Sequence, residues 1–213
     1  MICIFLGPPG SGKGTQALEI SKKLNVPHIA TGDMFRKHLK ENTPLGVSAK
    51  QFMDKGALVP DDLVIRMLLE RISHSDCEPG FLLDGFPRTV PQAEALSAAL
   101  EKLGKRLEHA INFSIKPEKL IARLSGRRTC TQCGMMYHVD SKPTKSAGIC
   151  DSCGGKVVQR DDDHENVIRS RLQVYDLQTS PLIGYFDSFG LLRTIEADQS
   201  PSEITPKILG ILA

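Results

Sequence analysis

No stretch of this 213-residue chain approaches the roughly 18 consecutive apolar residues that a membrane-spanning helix requires. Its first apolar run, ICIFL from Ile2 to Leu6, ends in a glycine- and proline-rich turn and is too short for the core of a secretory signal. A strong charge of one sign is missing as well. The 27 Lys and Arg face 25 Asp and Glu, a formal net charge of +2, so no global field advertises a nucleic-acid or membrane partner. There is no internal repeat and no low-complexity tract. With 40% hydrophobic and 24% charged residues, the composition excludes disorder and fibres. The expectation is a cytoplasmic globular protein with one sizeable core, room for an inserted module, and local rather than global means of holding an anion.

Such a means stands at Gly7 to Thr15, GPPGSGKGT, which nearly fits the phosphate-loop pattern G-x-x-x-x-G-K-[ST]. Glycines in the turn permit the dihedrals that aim successive backbone N–H groups at phosphate oxygens. The helix that follows adds the positive end of its dipole, and Lys13 adds a mobile full charge. Gly10, Ser11, Gly12, Lys13, Gly14 and Thr15 are therefore candidate phosphate ligands. Gly14 departs from the pattern, because it stands where a hydroxyl usually meets Mg²⁺ and defers that hydroxyl to Thr15. The metal is then left to phosphates and water, with Asp84, at the end of the apolar run FLLD, as the outer-shell carboxylate.

The order of elements is strand and helix in alternation. Ala17, Ile20 and Leu24 are at helical spacing after the loop. VPHIA leads through Thr31 into a helix over MFRKHLKEN, another runs over VSAKQFMDK to Gly56, and Pro60 and Asp61 open PDDLVIRMLLERI. FLLD follows as a strand. Leu96, Leu100 and Leu103 mark one face of a helix ending at Gly104, and Ile111, Phe113 and Ile115 alternate in the next strand. After a cysteine-bearing stretch come a long helix, the strand LLRTIEA and a last helix near SEITPKILGIL. This order predicts an α/β fold, a parallel sheet flanked by helices on both faces.

Six cysteines divide into isolated Cys3 and Cys77, read as inert core or near-surface thiols, and two C-x2-C pairs, Cys130/Cys133 and Cys150/Cys153. Four thiolates at this spacing suit a closed, tetrahedral structural zinc, with Gly134 and Gly154 fitting the tight turns after each pair. Rubredoxin-like iron is the rival, and a reducing compartment disfavours disulfides. His138 lies nearby and is surplus to the set.

GPPGSGKGT, TGDMFR, DKGALVPD, LLDGFPRT, LSGRR, QRDDD and SPLIGYF occur in the order and spacing of bacterial adenylate kinases, and the paired cysteine motifs resemble the zinc-bearing lid of their long form. The resemblance covers the whole chain, and Lys13–Gly14–Thr15 is the family's form of the loop. It implies a core of residues 1–29, 60–125 and 164–213, a nucleoside-monophosphate-binding insertion at 30–59 and a lid insertion at 126–163. It implies transfer of the terminal phosphoryl group of MgATP to AMP, giving two ADP. Thr31 would face the AMP base, Arg36 and Arg88 its phosphate, and the main chain of Ala57, Leu58 and Val59 its pocket. Gly85, Phe86 and Pro87 would approach AMP, and Gln92 would read the adenine edge. Arg123, Arg127, Arg160 and Arg171 match the arginines around the migrating phosphoryl group. Met136 and Tyr137 would flank the adenine of ATP, with the backbone near Gln199 closing its other side.

The charges agree with that chemistry. From Arg127 to Arg160, six cations (Arg127, Arg128, Lys142, Lys145, Lys156, Arg160) face only Asp140 and Asp151. Phosphoryl transfer spreads negative charge over equatorial oxygens and asks for positioned cations more than for a general base. Asp162 and Asp163 either orient those arginines or form a solvated acidic run before the helix at Glu165. Two other readings stand beside this one. A UMP/CMP-type kinase shares the loop, although Thr31, Gln92 and the long lid favour AMP. A zinc-ribbon nucleic-acid-binding ATPase shares the basic cysteine module, which has a single aromatic residue, Tyr137, and no basic tail. The chain is therefore expected to bind small nucleotides rather than nucleic acid, and to act as a monomer.

Overall fold

A computed structural model describes residues Met1–Ala213. Five strands, β1 (Ile2–Leu6), β2 (His28–Ala30), β3 (Phe81–Asp84), β4 (His109–Ser114) and β8 (Leu192–Glu196), form one parallel sheet in the order β2-β3-β1-β4-β8. β1 is central and all five of its residues are buried, as expected of a strand covered on both faces. Its side chains alternate between two cores. Ile2, Ile4 and Leu6 join Leu83 and Phe81 in the larger one, whereas Cys3 and Phe5 join Leu82, Ile111, Phe113 and Ile195 in the smaller.

Helices close both faces. α1 (Lys13–Leu24) and α9 (Pro201–Leu212) cover the smaller core with Ala17, Ile20, Ile204 and Ile208. α4 (Asp61–Ile72), α5 (Val90–Lys102) and α8 (Pro181–Ser188) cover the larger. Between β2 and α4 lie α2 (Thr31–Lys40) and α3 (Pro44–Met53), which reach the larger core through Phe35 and Ala49. α3 starts on a Thr43 cap followed by proline, α5 on a Thr89 cap, and α9 on a Ser200–Glu203 capping box. Between α6 (Glu118–Ser125) and α7 (Glu165–Val174) the chain forms a second, antiparallel sheet of β5 (Arg127–Cys130), β6 (Met136–His138) and β7 (Val157–Val158), ordered β6-β5-β7. No helix is long and apolar enough to cross a membrane.

Two expectations change. Leu103, placed on the apolar face of α5, is 51% exposed. The helix ends at Lys102 and the chain turns at Gly104, so the heptad position no longer points inward. The single long helix after the cysteines is broken in two by a π-helical turn at Tyr175–Thr179. Pro181 has no N–H to donate and its ring crowds the carbonyl four residues back, so the chain widens there, and Ser180 N–H donates to the Tyr175 carbonyl at 2.8 Å. Cys3 and Cys77 are fully buried, as expected.

Candidate functional site

The phosphate loop leaves β1 at Leu6 and enters α1 at Gly12. Gly12 adopts φ 95°, a left-handed conformation that favours glycine, and no side chain caps the first turn of α1. Its leading N–H groups therefore have no intrahelical acceptor and offer an anion site. The Lys13 ammonium donates to the Gly7 and Pro8 carbonyls at 2.6 and 2.8 Å and to Ser11 Oγ at 3.3 Å. Burial lowers its pKa to about 8; Asp84 opposes that fall, and Arg88, Arg171 and Arg127 add to it.

Five arginines share this environment. Arg88 Nε donates to the Gly85 carbonyl at 2.9 Å, which also accepts the Thr31 hydroxyl at 2.8 Å. Arg36 pairs with Asp33 Oδ1, and Arg160 Nη2 lies 3.9 Å from the same oxygen while its Nε donates to Thr129 Oγ1. Arg127 grips Asp163 through Nε and Nη2, and Arg171 Nη1 reaches Asp163 Oδ1 at 3.1 Å and Asp162 Oδ2 at 3.0 Å. Asp163 is 0% exposed, so the choice between a solvated acidic run and an orienting carboxylate falls to the latter. Burial, reinforced by neighbouring cations, lowers Arg88 and Arg160 to about 10. Both remain cationic near neutrality, and the repulsion that Arg88 feels from Arg171 and Arg36, and Arg160 from Arg36 and Arg127, is of the kind a bound polyanion relieves. Arg123 stands apart: it donates to the Ala197 carbonyl at 3.1 Å and lies 3.5 Å from Asp198, beside Gln199.

Lys13 and all six of these arginines line one cleft of about 1310 Å³, larger than a pocket for a single drug-sized ligand. Every residue expected at a nucleotide lines it except Phe86, which is the bulkiest member of the DGFPR segment and packs into the larger core. Asp84 is in the cleft wall. Burial pushes its pKa up, but His28 and Lys13 outweigh that and hold it below the ordinary carboxylate range. His28 Nε2 is 3.4 Å from Asp84 Oδ2 and has no other partner. Met136 sits over the loop, and a Cβ placed on Gly14 would stand 3.4 Å from its Cε. Gln199 Oε1 accepts from Lys207 at 2.6 Å.

The sulfurs of Cys130, Cys133, Cys150 and Cys153 lie within 4.8 Å of one another, with Cys130–Cys153 at 3.5 Å and Cys133–Cys150 at 3.6 Å. A tetrahedron of ~2.3 Å metal–sulfur bonds has edges of ~3.8 Å, so the cluster fits a metal ion. Tyr137, expected beside adenine, lines the cleft but is only 5% exposed, and its hydroxyl reaches this cluster. It accepts the Asp151 N–H at 2.8 Å and lies 3.3 Å from Cys150 Sγ. That contact lowers the Cys150 thiol to about 6, and thiolate character suits metal ligation. His138 turns away, its Nδ1 accepting from the Asp140 and Ser141 N–H groups.

Sequence reasoning gave no role to Asp33, His28 or Asp61. Asp33 and one partner, Arg36, both lie within TGDMFR, but its second arginine, Arg160, comes from far along the chain, and nothing in the sequence marks His28. By sequence Asp61 is a helix-start residue, yet its Oδ1 accepts from Gln92.

Comparison with known proteins agrees with this geometry. The family model described as adenylate kinase matches residues 5–191. Curated relatives named adenylate kinase include those of Lachnoclostridium phytofermentans (49% identical), Carboxydothermus hydrogenoformans (52%) and Geotalea daltonii (51%). Each matches all of this chain and 98 to 99% of its own. Identity of that order over the full length, together with the match to the family model, places the chain in the adenylate kinase family of phosphotransferases, to which it belongs.

Proposed function

We propose that the chain transfers the terminal phosphoryl group of MgATP reversibly to AMP, giving two ADP. The observation that carries this reading is the convergence of Lys13, Arg36, Arg88, Arg127, Arg160 and Arg171 on one cleft that also exposes the uncapped start of α1. Loop N–H groups and Lys13 hold the donor phosphates. Arg36 and Arg88 hold the acceptor phosphate, placing its oxygen in line with the donor. Arg127, Arg160 and Arg171 stabilise charge on the equatorial oxygens, with Asp163 fixing two of them. Arg123, tied to the Ala197–Asp198 segment beside Gln199, belongs to the nucleoside end of the donor site rather than to the phosphoryl cluster.

In this reading residues 1–29, 60–125 and 164–213 are the core, 30–59 bind the monophosphate, and 126–163 are a lid whose closure excludes water and so prevents hydrolysis. Magnesium, when bound with ATP, supplies charge neutralisation on the phosphates. Asp84, ionised and facing the cleft, suits an outer-shell anchor. Zinc is the metal chosen for the cysteine cluster: four thiolates saturate it, leaving a structural role. The protein works as a cytoplasmic monomer on free nucleotides, the fold being self-contained.

The test is ADP formation by purified protein with ATP and each of AMP, CMP, UMP and GMP, with metal content measured on the same sample. Selective use of AMP and one zinc per chain are expected. Equal use of a pyrimidine monophosphate overturns the AMP assignment, and iron in the cluster overturns zinc.

A further inference from the structure

Among the residues assigned to the acceptor base, Gln92 alone has free polar groups that can tell one purine from another. The Thr31 hydroxyl already donates to the Gly85 carbonyl. Gln92 is 1% exposed yet lines the cleft, and its carboxamide is held from two sides. Oε1 accepts the Arg88 main-chain N–H at 2.7 Å, and Nε2 donates to Asp61 Oδ1 at 2.7 Å. Asp61 is itself steadied, because its other oxygen accepts the Thr89 hydroxyl at 2.9 Å, and Thr89 Oγ1 in turn accepts the Gln92 main-chain N–H at 3.3 Å. A flipped amide would set its NH₂ against the Arg88 N–H and its oxygen against a carboxylate. One orientation is therefore imposed.

A carboxamide has two N–H donors and two oxygen lone pairs. The protein takes one of each, which leaves one donor and one acceptor side by side. That pair matches the adenine edge, where the 6-amino group donates and N1 accepts. A 6-oxopurine presents the reverse, an accepting oxygen and an N1–H donor, in the same volume.

We infer that Asp61 is a positioning residue that makes the acceptor site select 6-aminopurine over 6-oxopurine monophosphates, by locking the Gln92 carboxamide in the orientation that pairs only with the former. The inference rests on the proposed assignment of Gln92 to the acceptor base. Asp61 acts through Gln92 and does not touch the nucleotide. The Arg88 N–H alone leaves the amide on a single tether, about which it can swing out of register.

The experiment compares AMP with inosine monophosphate, its 6-oxo analogue, as acceptor for the full-length chain and its Asp61→Ala, Asp61→Asn and Gln92→Ala variants. In Asp61→Ala the AMP-to-IMP ratio of kcat/KM falls on the order of tenfold, since a good two-point base contact discriminates by about that much or more. The loss lies mainly in KM for AMP, and KM for ATP stays within a few-fold. Asp61→Asn, which keeps an accepting oxygen, retains most of the ratio. A purely structural role would lower the melting temperature without moving the ratio. Should Asp61→Ala fail to fold, Asp61→Ser carries the same expectation, because its hydroxyl is too short to reach the carboxamide.

An unchanged ratio in the folded Asp61 variants, with a collapsed ratio in Gln92→Ala, overturns the role of Asp61 and leaves the base assignment standing. An unchanged ratio in Gln92→Ala overturns that assignment and the inference with it. Equal losses in Asp61→Asn and Asp61→Ala overturn the account too, since charge rather than the accepting oxygen would then be responsible.

Discussion

Gly14 and Met136 meet in the wall of the cleft beside the phosphate loop. A side chain at position 14 would begin 3.4 Å from Met136 Cε and 3.1 Å from Asp84 Oδ2, so a residue of the loop, one of the second sheet and one at the end of β3 share a space sized for a hydrogen atom. The missing hydroxyl of the phosphate-loop pattern is thereby explained by packing. Gly14→Ala should then separate stability from activity. Alanine in α1 gains up to about 1 kcal/mol over glycine, which is roughly 2 to 4 °C in melting temperature for a chain of this size. Met136 can stay in place, but the Asp84 carboxylate must give by a few tenths of an ångström, and kcat/KM for ATP should fall several-fold, less than the roughly hundredfold cost of a 1 Å misplacement. Calorimetry and initial rates on the same sample decide, and an unimpaired kcat/KM refutes the packing argument.

Lys13 gives a pH signature. Its free-protein pKa of about 8, against an ordinary 10.5, means that the ammonium is being lost as pH rises through 8. Bound phosphate favours the charged form and raises that value. ATP binding at pH 8.5 should thus take up part of a proton, binding at pH 6.5 to 7 should show almost none from this group, and ATP affinity should weaken above pH 8. Titration calorimetry in buffers of different ionisation enthalpy measures the uptake, and Lys13→Met should abolish it. The same variant should lose about 10² to 10³ in kcat while keeping its fold. Proton release at pH 8.5, or near-normal turnover in Lys13→Met, contradicts the assignment.

Arg36 and Arg88 separate acceptor from donor. Each replaced by alanine should raise KM for AMP at least tenfold, the cost of a charge-assisted contact to phosphate, and leave KM for ATP within a few-fold. Because Arg88 also repels Arg171 and Arg36, its removal eases crowding in the unliganded cluster and should not lower the melting temperature. Equal damage to both substrates tells against two separate phosphate sites.

The cysteine cluster is the centre of a core with only three buried residues, Cys130, Tyr137 and Cys150. So small a core holds its shape through the metal. Cys133→Ser or chelation should lower a melting transition assigned to residues 126–163, and activity measured well below it should fall much less than in Lys13→Met, since bound nucleotides reorder the segment by mass action. Stripped protein that keeps its melting profile and loses all activity, restored by zinc alone, contradicts a structural metal.

Much of the fold was legible because it rests on local signals. ICIFL and FLLD are continuous apolar runs and both are buried parallel strands. The cysteine spacing pointed to four convergent sulfurs, which the structure brings together. What stayed hidden depends on partners far apart in the chain. Whether Asp163 faced solvent or arginines turned on Arg127, 36 residues away. The destination of the Tyr137 hydroxyl depended on where Cys150 lies, and the packing of Phe86 on the helices above it. The break at Tyr175–Thr179 was in principle readable from Pro181, but a proline at a helix start and one that widens a turn look alike in sequence.

The buried Asp163 has a mechanical consequence. It stands where the chain leaves the second sheet, and it holds Arg127, where the chain enters, to Arg171 on α7. The two roots of the segment between α6 and α7 are thereby tied to each other and to α7 through one buried carboxylate, so that removing it would leave two buried guanidinium groups without their shared partner.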